Sequence, residues 1–383
     1  MHRVLFLTET YPPDRGGMSP SCDRIVRGLR AGGVAIDLIH FDRRATRASY
    51  RETGSGSELR FPLETDPAHT INCLWNKVQQ VIDCERVTHV VAFGGSLPLL
   101  AAPVFAAWMA RPLVTLLRGN EFDAGLFDPR RRAILDDALR RSEAICTVTT
   151  DQAEKVAALY KGAAPHVVPN GIDLEAWSVT EADHARGQAW RAANVEPGRR
   201  VLGLFGHLKA KKGVPFFIRS IEEAGLADSF HLLLVGELEG PPPTLAHTHL
   251  PSLDRFDLLP YYTASDFIVL PSHYDGFPNV LIEAMALARP IIASAVGGMA
   301  DLLTDRDTAF LFPPGDEHGC HDAIARAAAS PNSALCLMGE RGRAWVRERC
   351  DAGEETRRYL EVLDFISGDQ TSCLDSQSFS APL

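Results

Sequence analysis

Short apolar runs alternate along the chain with amphipathic stretches of helical period. Segments 4–8, 36–41, 89–93, 113–117 and 144–149 read as strands. Several are nearly continuous in apolar residues, as parallel strands covered on both faces should be. Segments 20–31 and 130–141 lie between them and carry helical spacing. Alternating strand and helix predicts an α/β doubly wound sheet. Residues 173–200 are polar and break the pattern, ending at Pro197 and Gly198. A second α/β series follows, with strands expected at 201–208, 231–236, 267–270, 290–295 and 309–312. The simplest architecture is two Rossmann-like doubly wound domains, 1–175 and 176–345, facing a central cleft. Ligands in such sheets bind outside the carboxyl ends of the strands. Residues 334–367 look helical. The tail 368–383 has many serines and no Lys or Arg, which predicts disorder. The stretch 43–59 carries Arg43, Arg44, Arg47 and Arg51 before a Gly-Ser-Gly-Ser run and reads as a mobile basic loop.

Composition narrows the class. A chain of 383 residues, 45% apolar and 23% charged, has the composition of an ordinary globular protein and a length that suggests two domains or three. Its formal charge of -10 argues against nucleic acid as a partner, because phosphate-backbone binding needs a basic surface. The eight cysteines form no Cys-x-x-Cys pair and no zinc-like spacing, which fits free thiols in a reducing cytosol. No secretory signal is visible, and the longest apolar stretch, 97–110, contains Pro98 and Pro103 and is too short to span a bilayer. A cytoplasmic protein is expected, with attachment to the inner face of a membrane left open.

The most informative segment is 271–286. Asp275 precedes a Gly276-Phe277-Pro278-Asn279 turn, a helix then starts, and Glu283 follows Asp275 by eight positions. Free N–H groups and the positive end of the helix dipole favour an anion such as phosphate there. Two carboxylates can reach one ligand from two sides, and carboxylates accept strongly from sugar hydroxyls. The plain alternative is a capped core helix with one stray acid. Other strand ends are also unusual. After the first strand, Gly16 and Gly17 would let backbone approach a ligand, or simply form a turn. After the first strand of the second series come Gly206, His207, Lys209, Lys211, Lys212 and Gly213, a combination suited to a diphosphate. Gly236 ends the next strand and would open space beneath a ligand. In the first domain, Arg118, Asn120 and Glu121 crowd one strand end, either as a site or as a surface salt-bridge turn. Asn170-Gly171 reads as a turn closing the first domain. There is no Walker A sequence and no Gly-x-Ser-x-Gly elbow.

Together these residues resemble the retaining nucleotide-sugar glycosyltransferases of family 4, which have the GT-B fold. The resemblance runs from Val4 to about Ser367. It rests on the acid pair at Asp275 and Glu283 followed by Ala-Met-Ala, on Gly206-His207-Leu208 with Lys212-Gly213, and on Pro169-Asn170-Gly171-Ile172-Asp173. It implies an acceptor-side domain at 1–175, a nucleotide-sugar domain at 176–345 and a helix at 346–367 packing across domains back to the first. It implies that Gly16 and Gly17 close over the donor diphosphate. Lys212 and His207 would stabilise the leaving diphosphate, and Asp275 would hold hydroxyls of the transferred sugar. Backbone of Gly276, Phe277, Pro278 and Asn279 would touch sugar and phosphate, and Glu283 would bind the ribose. No cofactor and no metal are expected. The partners implied are a UDP-, GDP- or other nucleoside-diphosphate sugar and an acceptor that is a glycan, a lipid-linked group or a small molecule.

Three departures from the family pattern stand out. Asp275 replaces the usual Glu, His207 the usual Arg, and Arg118 a histidine that faces donor sugar and acceptor. Arg118 is therefore expected to contact an anionic acceptor or a donor oxygen, with Asn120 and Glu121 beside it. The reaction implied is glycosyl transfer with retention. A sugar-nucleotide epimerase or phosphorylase on the same fold, or a sugar-nucleotide-binding protein without transfer activity, remain the alternatives.

Overall fold

The computed structural model describes residues 2–14 and 16–377, without the side chains of Asn120 and 369–377. The chain begins β1 (Arg3–Thr8), α1 (Met18–Ala31), β2 (Ala35–Asp42), β3 (Ser49–Thr53), β4 (Gly56–Pro62), α2 (Pro67–Val81), β5 (His89–Phe93) and α3 (Ser96–Met109). It continues through β6 (Leu113–Leu116), α4 (Asn120–Asp123), α5 (Pro129–Arg141), β7 (Ala144–Thr147), α6 (Thr150–Leu159) and β8 (His166–Val167). The next series is α7 (Glu181–Asn194), β9 (Arg200–Phe205), α8 (Val214–Glu223), β10 (Phe230–Val235), β11 (His247–Leu250), α9 (Arg255–Ala264) and β12 (Phe267–Leu270). Then come α10 (Asn279–Ala286), β13 (Ile291–Ser294), α11 (Gly298–Leu302), β14 (Phe310–Phe312), α12 (Glu317–Ala329), α13 (Asn332–Arg349) and α14 (Ala352–Gln377).

These elements form two compact units. One contains the chain through Pro169 together with the helix that starts at Ala352; the other is Asn170–Asp351. The first sheet has the order β3-β4-β2-β1-β5-β6-β7-β8 and is parallel except for β3, which runs antiparallel to β4. The second has the order β11-β10-β9-β12-β13-β14 and is parallel throughout. In each, the strand order reverses once, between β1 and β5 and between β9 and β12. Both units are thus Rossmann-like, and these reversals are where such sheets bind ligands. Local chemistry starts the helices. Asp66 and Asp128 each accept backbone N–H groups at the heads of α2 and α5, where a proline takes the first turn. Thr180 and Asp183 cap α7 reciprocally.

Three expectations change. The stretch 43–59 is not a mobile loop throughout: β3 and β4 make a hairpin at the sheet edge. In β4, Ser57, Leu59 and Phe61 point inward at period two, and Leu59 and Phe61 join the core. Arg43 and Arg44 approach Glu9 and Asp14 at 3.6 and 3.3 Å. The helical region 334–367 is two helices, α13 and α14, separated at Cys350 and Asp351. There the backbone turns aside to pair with Ile172, whose N–H donates to the Cys350 carbonyl at 2.7 Å. The boundaries therefore fall at 169/170 and 351/352. Helix α14 runs on to Gln377 where a disordered tail was expected from Gly368; residues 378–383 of that tail lie outside the described residues.

Helix α14 completes the first unit. Tyr359, Val362, Leu363 and Ile366 join the core formed by Val4 and Phe6 of β1 and Ile25, Val26 and Leu29 of α1. The two helices meet closely, since a Cβ at Gly28 would lie 2.2 Å from Thr356 Oγ1. Glu355 is buried and accepts from Arg24 Nε at 2.7 Å and from Arg118 at 3.3 Å. Removing one member of such a cluster leaves its partners' charge buried. Glu355→Ala should therefore destabilise the first unit by about 3–5 kcal/mol, read from urea denaturation. A second expectation concerns pH. Burial, reinforced by the neighbouring His2, pushes His89 down from 6.5 to about 4. Between these values the unfolded chain binds the extra proton and the folded chain does not, so this contribution to stability is lost as pH falls from about 6.5 to about 4. His89→Gln should flatten the fall in melting temperature over that window.

Candidate active site

The carboxyl edge of the second sheet, beside the reversal between β9 and β12, gathers the predicted chemistry. After β9 the chain passes through Gly206 and His207 into a tight turn, Ala210–Lys212, and enters α8 at Gly213. Gly213 has φ +67°, and a Cβ there would lie 1.8 Å from the carbonyl oxygen of Pro271. The loop after β9 therefore rests backbone to backbone on the segment after β12. The His273 N–H, donating to the Lys211 carbonyl at 3.0 Å, is a second tie. This contact brings the Lys212 ammonium onto Oδ2 of Asp275, with the two side chains 27% and 11% exposed. Asp275 is also held by the Gly276 N–H at 3.1 Å and the Ser272 hydroxyl at 3.3 Å. Ser272 is buried, and its carbonyl accepts from Ser294 Oγ at 2.5 Å.

The turn after Asp275 is locked from two sides. Gly297 has φ +47°, and a Cβ there would lie 2.0 Å from the Asp275 carbonyl oxygen. The Gly298 N–H donates to the Gly276 carbonyl at 2.6 Å. From the other side, Asn170 Nδ2 donates to the Phe277 carbonyl at 2.8 Å and to Asn279 Oδ1 at 3.2 Å. Phe277 is buried, and Pro278 takes the cap position just before α10. Glu283 sits on α10, and its Oε2 accepts from the Tyr262 hydroxyl at 2.7 Å. Tyr262 is fully buried and lies flat on Phe205, with ring centroids 4.3 Å apart.

Several expected roles need correction. His207 does not join the Lys212–Asp275 pair; its Nε2 faces Glu239 at 3.2 Å and Glu237 at 3.7 Å, acids that follow β10. Gly236 does not open a space, because a Cβ there would lie 1.9 Å from the Gly206 carbonyl oxygen. In the first unit, Arg118 does not reach outward to a ligand. Its side chain is 2% exposed, bonded to Tyr359 Oη and paired with Glu355, and stacked 5.5 Å over Phe93. Burial works against its charge, yet Tyr359 and Glu355 outweigh burial and hold its pKa above the ordinary arginine value. Glu121 accepts from the backbone N–H groups of Arg118 and Gly119, so it caps its own turn. Desolvation raises its carboxyl pKa against those bonds. Asn120 opens α4. Gly16, at φ +105°, and Gly17 lead into α1, and among the described residues beyond its chain neighbours none lies within 4 Å of a Cβ placed on Gly16.

A cavity of about 510 Å³ elsewhere in the second unit is lined by Arg199, Arg200, Asp228 and Phe230. It lies at the amino ends of β9 and β10, opposite the carboxyl edge. Its arginines are spent on backbone carbonyls such as Ala327 and Phe230, so the chemistry favours the carboxyl edge. Among the described residues, no group of three or more His, Cys, Asp or Glu is placed to hold a metal, and no helix is long and apolar enough to cross a membrane.

Comparison with known proteins agrees with this layout. A family model described as Glycosyltransferase Family 4 matches residues 15–176, and one described as Glycosyl transferases group 1 matches residues 199–330. Between them they span most of both units, and the chain belongs to the GT-B glycosyltransferases of the family 4 type. A D-inositol 3-phosphate glycosyltransferase of Actinosynnema mirum is 28% identical over 253 residues, 59% of this chain and 60% of that protein. One from Xylanimonas cellulosilytica is 29% identical over 198 residues, 46% of this chain and 47% of that protein. The chain thus spans about half the length of these curated relatives. The structure of Anabaena HepE in complex with UDP-glucose has the same fold, with a TM-score of 0.75 at 17% identity over 95% of this chain and all of that one.

The site's geometry makes a prediction of its own. Gly213→Ala places a side chain on a left-handed backbone against Pro271. It should cost at least about 2 kcal/mol of stability, measured by urea denaturation.

Proposed function

We propose that this chain transfers a sugar from a nucleoside-diphosphate sugar to an acceptor hydroxyl, with retention at the anomeric carbon. The observation that carries the reading is the Lys212–Asp275 pair at the carboxyl edge of the second sheet, with Glu283 one short helix further on. Lys212 is a flexible cation that can turn from Asp275 to a diphosphate. Asp275, kept in place by Ser272 and the Gly276 N–H, can then accept from hydroxyls of the transferred sugar. Glu283 takes the ribose hydroxyls. The chemical demand is the departure of a nucleoside diphosphate from an oxocarbenium-like sugar, and stabilising that leaving charge is the main contribution. The acceptor attacks from the face the diphosphate leaves, and a departing phosphate oxygen takes its proton. His207 faces Glu237 and Glu239, so its part is secondary to that of Lys212. No metal is needed in this scheme, because Lys212 supplies the counter-charge. UDP-glucose, carried by Anabaena HepE, is the first donor to test, and inositol 3-phosphate, from the relatives' names, the first acceptor.

A panel of UDP- and GDP-sugars tested by thermal shift and by slow donor hydrolysis checks the reading. One donor should raise the melting temperature and be cleaved to nucleoside diphosphate. Lys212→Ala should lower that cleavage by about 10²-fold or more. Release of sugar phosphate in inorganic phosphate would instead identify a phosphorylase. Tight binding with no cleavage of any donor would identify a binding protein. With an active acceptor, proton NMR of the product should show the donor's anomeric configuration.

A further inference from the structure

Tyr262 is a polar side chain at the heart of the second unit to which no role has yet been given. It lies in the last turn of α9, 21 residues before the acid it touches. Two ring contacts and complete burial fix its ring. It lies parallel to Phe205, at the carboxyl end of β9, with an interplanar angle of 3°. It meets Trp177 edge-on at 5.9 Å. It is wholly shielded from water. Burial, and then the Glu283 carboxylate, push its phenol pKa well above the ordinary 10.0, so at working pH the hydroxyl stays protonated and donates to Glu283. The hydrogen bond to Glu283 Oε2 thus comes from a buried donor whose ring is packed against Phe205 and Trp177.

A glutamate on a helix has three rotatable bonds. Gripping two adjacent ribose hydroxyls requires a single orientation of its carboxylate plane, and that orientation has to be set from behind. We propose that Tyr262 is the positioning residue for Glu283, and that through it the site distinguishes a nucleotide with a ribose diol from one without. The proposal rests on the reading of Glu283 as the ribose ligand. Phe205 links it to the rest of the site, since the strand that ends at Phe205 also launches the loop carrying Lys212. The orientation of Glu283 and the position of Lys212 thus share one support.

The experiment compares the affinities of UDP and GDP with those of their 2′,3′-dideoxy counterparts, by calorimetry, for the unaltered protein and Tyr262→Phe. Phenylalanine keeps the ring stack and removes only the hydroxyl, and the dideoxy affinity reports that the variant is folded. The unaltered protein should prefer one ribonucleotide over its dideoxy form by about tenfold or more, the range for a hydrogen bond to a charged group. In Tyr262→Phe the preference should fall to about threefold or less with the dideoxy affinity unchanged. A variant that keeps the full preference, or that weakens both nucleotides equally, would show that Tyr262 serves the core alone and would overturn the proposal. An unaltered protein that binds nucleotides without preference would remove the ribose role of Glu283, and the proposal with it. Binding of neither nucleotide would overturn the reading of the donor as a UDP- or GDP-sugar, and with it the proposal in this form.

Discussion

Backbone packed directly on backbone at the carboxyl edge of the second sheet is the constraint on which the site depends. Gly213 sits against the Pro271 carbonyl and Gly297 against that of Asp275, each at positive φ with no room for a Cβ. Both contacts converge on the short segment after β12 that carries Asp275. With side chains in between, the loop after β9 would stand further off and Lys212 would lose its reach to the acid. Parallel strands make this arrangement natural, because neighbouring strands end together and hand their loops to the same edge. The loops' order is thus inherited from the register of β9, β12 and β13.

The first unit is held by a different device. Its fold closes only when α14 returns to cover β1 and α1, and the return is specified by a buried charge cluster rather than by apolar contact alone. Glu355 sits between Arg24 and Arg118, and Arg118 also reaches Tyr359. Apolar packing of Val362, Leu363 and Ile366 tolerates sliding along the helix axis. A carboxylate that must satisfy two guanidinium groups does not. The cluster therefore sets where the chain re-enters the first unit after Asp351.

What could be read from the sequence follows the same physics. Strands β1, β5, β9 and β12 were legible because burial on both faces leaves continuous apolar runs. Strands β8 and β11 were not, being short edge strands, the latter reading His-Thr-His-Leu. The β3–β4 hairpin was hidden by arginines and a Gly-Ser run, although the alternation of Ser57, Leu59 and Phe61 carried its signal. In the site, Asp275, Glu283 and Lys212 were visible from local spacing. Tyr262, Ser272 and the bonds of Asn170 to Phe277 and Asn279 were not, since their partners are set by the fold. Arg118 was misread for that reason: its partner Glu355 lies 237 positions away.

Arg118 and Lys212 show how exposure separates scaffold from site. Both are cations at the carboxyl end of a strand, and both are paired to a carboxylate. The Arg118 and Glu355 side chains are each 2% exposed, so separating them would leave two charges without water, at a cost of several kcal/mol. Lys212 is 27% exposed and Asp275 11%, so this pair is wetter than Arg118–Glu355 and costs less to separate. On the proposed function, Lys212 exchanges Asp275 for a phosphate, while Asp275 stays anchored by Ser272 and the Gly276 N–H. A pair that is partly wet, with its acid held independently of its cation, suits the diphosphate site proposed above. A strong dry pair fixes the fold and resists a ligand.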